Sequence, residues 1–270
     1  MPVQRVVSGF SRITLVRSWA VAESILHVAA VSPFERPLPG SIGGFTVTTL
    51  ELSVVAALAA GAVAIARDPA QFSWRTPITI PALALLACAL AASALAPELR
   101  GNAFRFTGRV TAAFLLFTLA ANVFASTRLA RQVIATVLGA AAVVGFIAVL
   151  ELAHVPAVLE ALTLFRPGFH VVGGQLRATS TLFYPTITSM YLEVVFALGL
   201  MWIGSSRLAF AALVLTGAGI IATFTRAGLI TMTMSLLIYG GLTYYKRGRL
   251  DGEHTRLAVL AGVLVALVML

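Results

Sequence analysis

The sequence is poor in charge and nearly free of cysteine. Only 11% of its 270 residues are Asp, Glu, Lys or Arg, against about 25% in an ordinary soluble domain. That excludes a packed core wrapped in a charged, solvated surface. The single cysteine, Cys88, excludes an internal disulfide and a thiolate cage for zinc; it sits in an apolar run and reads as inert. The pattern of a cleavable signal peptide is missing as well. Arg5, Arg12 and Arg17 precede an apolar stretch, but that stretch carries Glu23 and His27, lacks a small-residue cleavage pattern and reads as a retained first helix. No internal repeat or low-complexity tract appears.

Apolar residues fill the space that charge leaves. Hydrophobic residues make up 59% of the chain, so most of the exterior must face something as apolar as lipid. The 22 glycines are scattered among long apolar runs rather than alternating ten-residue segments. This favours helices over a membrane barrel, because a helix satisfies its backbone within one segment. The expected fold class is all-α, a polytopic membrane helix bundle with eight to nine transmembrane helices. Runs near the roughly 20 residues that cross a bilayer extend from Phe45 to Ala66, Pro77 to Ala96, Val110 to Ser126, Gln132 to Val155, Tyr184 to Gly204, Leu208 to Thr225 and Ala227 to Tyr245. Thr14 to Ser32 is an eighth, and a ninth opens at Leu257 and is still apolar at Leu270. That last run reaches roughly 20 Å, short of the roughly 30 Å hydrocarbon core, so the natural protein is expected to continue.

The net charge of +9 fits the excess of basic residues that membrane proteins place beside anionic headgroups better than it fits nucleic acid. If the first helix crosses, one side receives twelve Lys and Arg residues and the other seven, which favours a cytoplasmic N-terminus. The Lys246 to Arg256 segment carries much of that bias. The external connections are then Pro33 to Gly44, Pro97 to Arg109, residues 156–183, and a tight turn at Thr225 and Arg226. The whole of 1–270 reads as one integral membrane domain. The 156–183 loop is the only external one well beyond the usual length, and such loops tend to bind or cover something. Phe165, Phe169 and Phe183 suit it to the membrane interface.

Two places combine a charge with a helix start. Arg177 opens the run Arg177, Ala178, Thr179, Ser180, Thr181, which leads to Tyr184 and Pro185; proline suits a first helical turn because its missing N–H would be unpaired anyway. Thr225 and Arg226 stand at the next outward-facing helix start, where Thr225 can cap and the free N–H groups carry about half a positive charge. A guanidinium grips phosphate bidentately and stays charged in a low dielectric, so two arginines beside two helix starts make a candidate anion site. The common alternative for each arginine alone is a snorkelling anchor to headgroups. Glu193 should face the bundle and pair with a basic or hydroxyl group, while Glu51 and Glu151 can reach an interface. His154 and His170 lack a second ligand at metal spacing. His170 gains a chemical role only if the fold brings it beside the arginines.

The order of a PFE turn (Pro33, Phe34, Glu35), FTVTTLE from Phe45 to Glu51, SALAPELRG after the third helix, RATSTLFYP before one helix and FTRAGL opening another resembles the O-antigen ligase and O-antigen polymerase family, most of all a ligase. The match spans most of the chain, and the two arginine-bearing segments are its most telling parts. The resemblance implies a bacterial inner-membrane glycosyltransferase with a GT-C-like architecture, active on the periplasmic face. It would move an O-antigen polysaccharide from undecaprenyl diphosphate to a lipid A core sugar, with inversion and without metal, nucleotide sugar or other cofactor. It also implies that Arg177 and Arg226 are the catalytic pair that binds the donor diphosphate, with Thr179, Tyr184, Thr225 and His170 as substrate-binding neighbours. The family's essential histidine belongs to a later periplasmic loop and is not carried over to His170. Partners are then the lipid-linked donor, the lipid A core acceptor and membrane lipid, with no nucleic acid. Small residues such as Gly217, Ala218 and Gly219 would let helices pack closely beside the donor's polyprenyl tail. A polymerase or a protein O-oligosaccharyltransferase would share donor and chemistry. A transporter or lipid flippase, using Glu51, Glu151 and Glu193 as a path, is the alternative of another class.

Overall fold

A computed structural model describes residues 19–42, 45–123, 127–166, 168–247 and 252–269. Arg5, Arg12, Arg17, Arg249 and the opening of the Thr14 to Ser32 run lie outside them. The described chain is mostly helical, in the order α1 (Trp19–Val31), β1 (Pro37–Ile42), β2 (Phe45–Thr48), α2 (Thr49–Arg67), α3 (Thr79–Leu95), α4 (Arg100–Val123), α5 (Thr127–Leu152), α6 (Pro156–Leu162), β3 (His170–Val172), β4 (Gln175–Arg177), α7 (Pro185–Leu200), α8 (Arg207–Ala222), α9 (Arg226–Arg247) and α10 (Gly252–Met269). Among the described residues four helices, α2, α4, α5 and α9, are long and apolar enough to cross a membrane. The apolar helices α1, α3, α7 and α8 are shorter, at 13, 17, 16 and 16 residues.

Two hairpins depart from the all-α expectation. β1 pairs antiparallel with β2, so the run expected to begin a span at Phe45 starts as a strand and becomes helical only at Thr49. Inside the expected 156–183 loop lie α6 and the β3–β4 hairpin. The hairpin closes through Gly173 and Gly174, whose φ angles of 63° and 81° are what a tight two-residue turn matching the strand twist requires. The expected Pro97 to Arg109 loop is instead mostly helix, since α4 begins at Arg100. Hydropathy falls at Arg100, Arg105 and Arg109, but arginine is a good helix former, and all three side chains are exposed.

The chain divides into two compact units, one holding the described residues up to Val28 with Glu51–Val133, the other Ala29–Leu50 with Ile134–Leu270. The divisions fall within α1, α2 and α5 rather than in polar linkers, so composition did not mark them. In the first unit α3 packs on α4, and the buried hydroxyls of Ser93 and Thr107 join the two helices at 2.8 Å. Asn122 reads the backbone of Ser73 like a strand partner, accepting its N–H at 2.8 Å and donating to its carbonyl at 3.0 Å. Glu51 is paired, as Arg109 donates to it through Nη2 at 2.6 Å and Nε at 3.0 Å. Ile80 and Leu95 of α3 are 81% exposed, an outward apolar face suited to lipid.

In the second unit α8 is the central helix, apolar all round and buried over Thr216–Ala222, as a helix of that composition must be. It packs against α7, α9 and α10 around Leu192, Phe196, Leu213, Ile220, Leu260 and Leu264. Glycine sets the closest approaches. A Cβ on Gly219 would fall 2.5 Å from the Cα of Gly145, and one on Gly145 would strike the carbonyl of Leu215. A Cβ on Gly217 would meet Leu264, so these two glycines do let the helices pack closely, as expected of small residues. Glu193 has the hydroxyl partner expected of it, Ser189 donating at 2.5 Å, and both lie against Gly228 of α9. Gly145→Ala should therefore destabilise the fold by about 2 kcal/mol or more. Gly139→Ala, with nothing within 4 Å of the added carbon, should be neutral or gain up to about 1 kcal/mol of helix propensity. Thermal unfolding of the two variants in detergent compares them, and equal midpoints would contradict this packing.

Candidate functional site

The run Arg177–Thr181 joins β4 to α7, and the body of the second unit holds it residue by residue. The Ala178 amide donates to the carbonyl of Ala222 at the end of α8 (3.1 Å). The amides of Thr179 and Ser180 donate to Glu151 Oε2 at 3.1 and 2.7 Å. Ser180 Oγ donates to the Val144 carbonyl (2.9 Å), and Thr181 Oγ1 to the Pro33 carbonyl (2.5 Å). Thr188 of α7 donates to the Thr179 carbonyl at 2.7 Å. Ser180 has φ +51°, a left-handed conformation that a residue with a Cβ holds only where its surroundings over-determine it. The bonds of Thr179, Ser180 and Thr181 supply that constraint. The PFE turn and the RATST run, far apart in sequence, thus meet at Pro33 and Thr181.

Glu151 is the anchor, and the expectation that it reaches an interface is corrected: it is 0% exposed. Its Oε1 accepts from Arg166 Nη2 at 2.6 Å, and the Arg166 side chain is 2% exposed. A carboxylate this deep is tolerable only with such partners. The pair was missed because sequence spacing says nothing about which arginine a loop returns to a helix. The signal available was the rule that a carboxylate within an apolar helix must find a partner.

Arg177 is partly buried. Its Nε donates to the Thr223 carbonyl at 3.0 Å and its Nη2 to Thr225 Oγ1 at 3.1 Å. These bonds tie it to the end of α8 and the start of α9 through neutral groups. No carboxylate pairs with it among the described residues. The guanidinium therefore keeps its charge uncompensated and retains further N–H donors. It lines a cavity of about 450 Å³ with His170, Tyr184 and the first turn of α7, Pro185 to Ile187, where the amides of Thr186 and Ile187 have no partner within the helix and carry the positive end of its dipole.

The hairpin register sets His170 directly opposite Arg177, which brings the two side chains within reach of one ligand. His170 Nε2 lies 3.1 Å from the Phe183 carbonyl. A carbonyl only accepts, so Nε2 is the donor in this bond. The imidazole also lies 5.0 Å, centroid to centroid, from the Tyr184 ring.

Of the six residues expected at the site, the structure thus brings Arg177, His170 and Tyr184 to one cavity. Thr225 is buried and acts on Arg177 by accepting its bond. Thr179 is fully buried and outside the linings of both cavities described for this region; its amide serves Glu151. Arg226 begins α9 with an exposed side chain, next in sequence to Thr225 and without a carboxylate partner among the described residues. It is likewise not among the lining residues of either cavity. The turn before it contains Phe224 at φ +48°, a second left-handed residue beside the groups that hold Arg177.

Comparison of the chain with protein-family models, curated proteins and solved structures finds no match to any of them. The Glu151 anchor makes its own prediction. Glu151→Gln leaves a buried arginine without its counter-charge and should cost about 3–5 kcal/mol. Adding Arg166→Met should restore part of the loss, because the stranded charge is removed with it. Denaturation of the single and double variants checks this, and strictly additive losses would contradict the pairing.

Proposed function

We propose that this chain belongs to a bacterial inner-membrane glycosyltransferase of the O-antigen ligase type, a multi-pass protein of eight to nine spans with a GT-C-like architecture. It would hold a polyprenyl-diphosphate sugar donor at its periplasmic face and deliver the polysaccharide to a lipid A core sugar. The observation that carries the reading is Arg177: a cation without a counter-charge, in a cavity, beside a helix start, on a chain whose helices suit lipid. A diphosphate headgroup on an apolar tail matches both halves of that description. The resemblance of RATST and TRAG to family segments supports the same assignment.

In the proposed reaction the acceptor hydroxyl attacks the anomeric carbon from the face opposite the diphosphate. The bond from carbon to the diphosphate oxygen breaks with inversion, and its electron pair leaves on the diphosphate. The largest demand is to stabilise the charge growing on those oxygens, which preorganised N–H donors meet without reorganisation in a water-poor site. Arg177 and the first amides of α7 fill this role. Arg226, exposed at the first turn of α9, supplies a second guanidinium to the headgroup. The acceptor's proton needs a base, a role we assign to His170 Nδ1 because the ring lines the same cavity as Arg177.

Arg177→Ala should lower transfer of polysaccharide to lipid A core by about 100-fold or more, with protein abundance near that of the wild type. Arg226→Ala should also abolish detectable transfer. Arg177→Lys should recover only part, since lysine keeps the charge and loses the planar fork. Electrophoresis of lipopolysaccharide from complemented cells, with immunoblotting for the protein, reads both quantities. Full transfer in both alanine variants would overturn the assignment.

A further inference from the structure

A second cavity, of about 270 Å³, adjoins the first and shares His170 and Tyr184 with it; Arg166, Gly168, Phe169 and Phe183 also line it. Arg166 is spent on only one side. Its Nη2 is held by Glu151, whose other oxygen is already taken by two amides, while its Nε and Nη1 are buried and have no hydrogen-bond partner. Phe169 stacks over the guanidinium with its ring centroid 4.8 Å from Cζ. Stacking uses the face of the group, whereas its N–H donors lie in the plane, so the ring leaves those donors unsatisfied. Buried donors of this kind call for a reason, and a cavity beside them supplies one. The other walls are aromatic and half open: Phe169, Phe183 and Tyr184 are 41%, 48% and 52% exposed. Flat apolar faces beside a few convergent polar groups are the usual make-up of a small-ligand pocket, and they suit the C–H faces of a sugar ring.

The geometry points to a binding site for one anionic sugar residue, a ring bearing a carboxylate or phosphate, with the acid group on the free nitrogens of Arg166 and the ring against Phe169, Phe183 and Tyr184. The inference rests on the transferase reading for its biological setting. In that setting the sugar belongs either to the donor, next to its diphosphate, or to the acceptor. The cavity's position beside Arg177 and His170 puts the sugar next to the reacting centre in both cases.

The test uses the full-length protein in nanodiscs, with methyl glucuronide, methyl glucoside and inorganic pyrophosphate as probes in saturation-transfer NMR and titration. Methyl glucuronide should bind at least about tenfold more tightly than methyl glucoside, the step that a charge-assisted bond commonly makes. Arg166→Lys, which keeps a cation for Glu151 and loses the extra donors, should remove that preference. Phe169→Ala, which leaves the buried pair intact, should weaken both glycosides by a similar factor, and it keeps the site testable if the lysine variant misfolds. Arg177→Ala should abolish pyrophosphate binding and spare methyl glucuronide. Equal binding of the two glycosides, a preference unchanged in Arg166→Lys, or undiminished binding of both glycosides to Phe169→Ala would overturn the inference. A wild type that binds methyl glucuronide but not pyrophosphate would instead count against the transferase reading. Kinetics with a uronate placed in the donor, then in the acceptor, assigns the source, since Arg166→Lys should raise KM for the substrate whose sugar occupies the cavity.

Discussion

A single buried carboxylate organises the candidate site. Glu151, near the end of α5, accepts two backbone amides of the RATST run with one oxygen and an arginine with the other. A charge sealed from water costs several kcal/mol unless it is matched, so this matching fixes where the run from Arg177 to Thr181 lies. Arg177 inherits its place from that run and from the carbonyl and hydroxyl at the junction of α8 and α9. The left-handed residues Ser180 and Phe224 flank the same junction. Local strain of this kind persists when neighbouring contacts leave no alternative.

The two arginines near the cavities have opposite electrostatic situations. Arg166 is neutralised by Glu151 and serves the architecture with part of its donors. Arg177 is held by neutral oxygens and keeps its charge available. Anchoring one cation with a carboxylate and presenting the other without one leaves Arg177 its full charge. Burial of the first and partial exposure of the second follow the same division. His170 joins Arg177 through strand register rather than through proximity in sequence.

Helices were legible wherever a long apolar run stood alone, because the bilayer length and the 3.6-residue repeat both act on uninterrupted segments. α5 and α9 follow their runs to within about five residues, both starting earlier than the apolar run does. Legibility failed where charge and backbone disagree: the arginines of α4 ended the apolar run without ending the helix. It failed again in the loop, where VVGGQL carries a two-glycine turn between extended residues, a hairpin signal obscured by reading residues 156–183 as one connection. Arg177 was visible as a candidate from charge and helix-start chemistry, whereas Tyr184 and His170 entered as binding residues only through the resemblance. The partnership of Glu151 with Arg166 was not, since it depends on a return of the chain that no local pattern encodes. Thr179 and Thr225 looked alike in sequence as hydroxyls beside arginines, and only burial shows that both serve the scaffold.

The central claim is that Arg177 presents an uncompensated guanidinium to a diphosphate in the cavity it shares with His170. A cryo-electron microscopy structure of the full-length protein in nanodiscs with undecaprenyl diphosphate tests it most directly. The account predicts a phosphate within hydrogen-bonding distance of Arg177, beside the first turn of α7, with the polyprenyl tail leaving toward lipid. A headgroup bound elsewhere, or Arg177 paired with a carboxylate while the cavity stays empty, would contradict it.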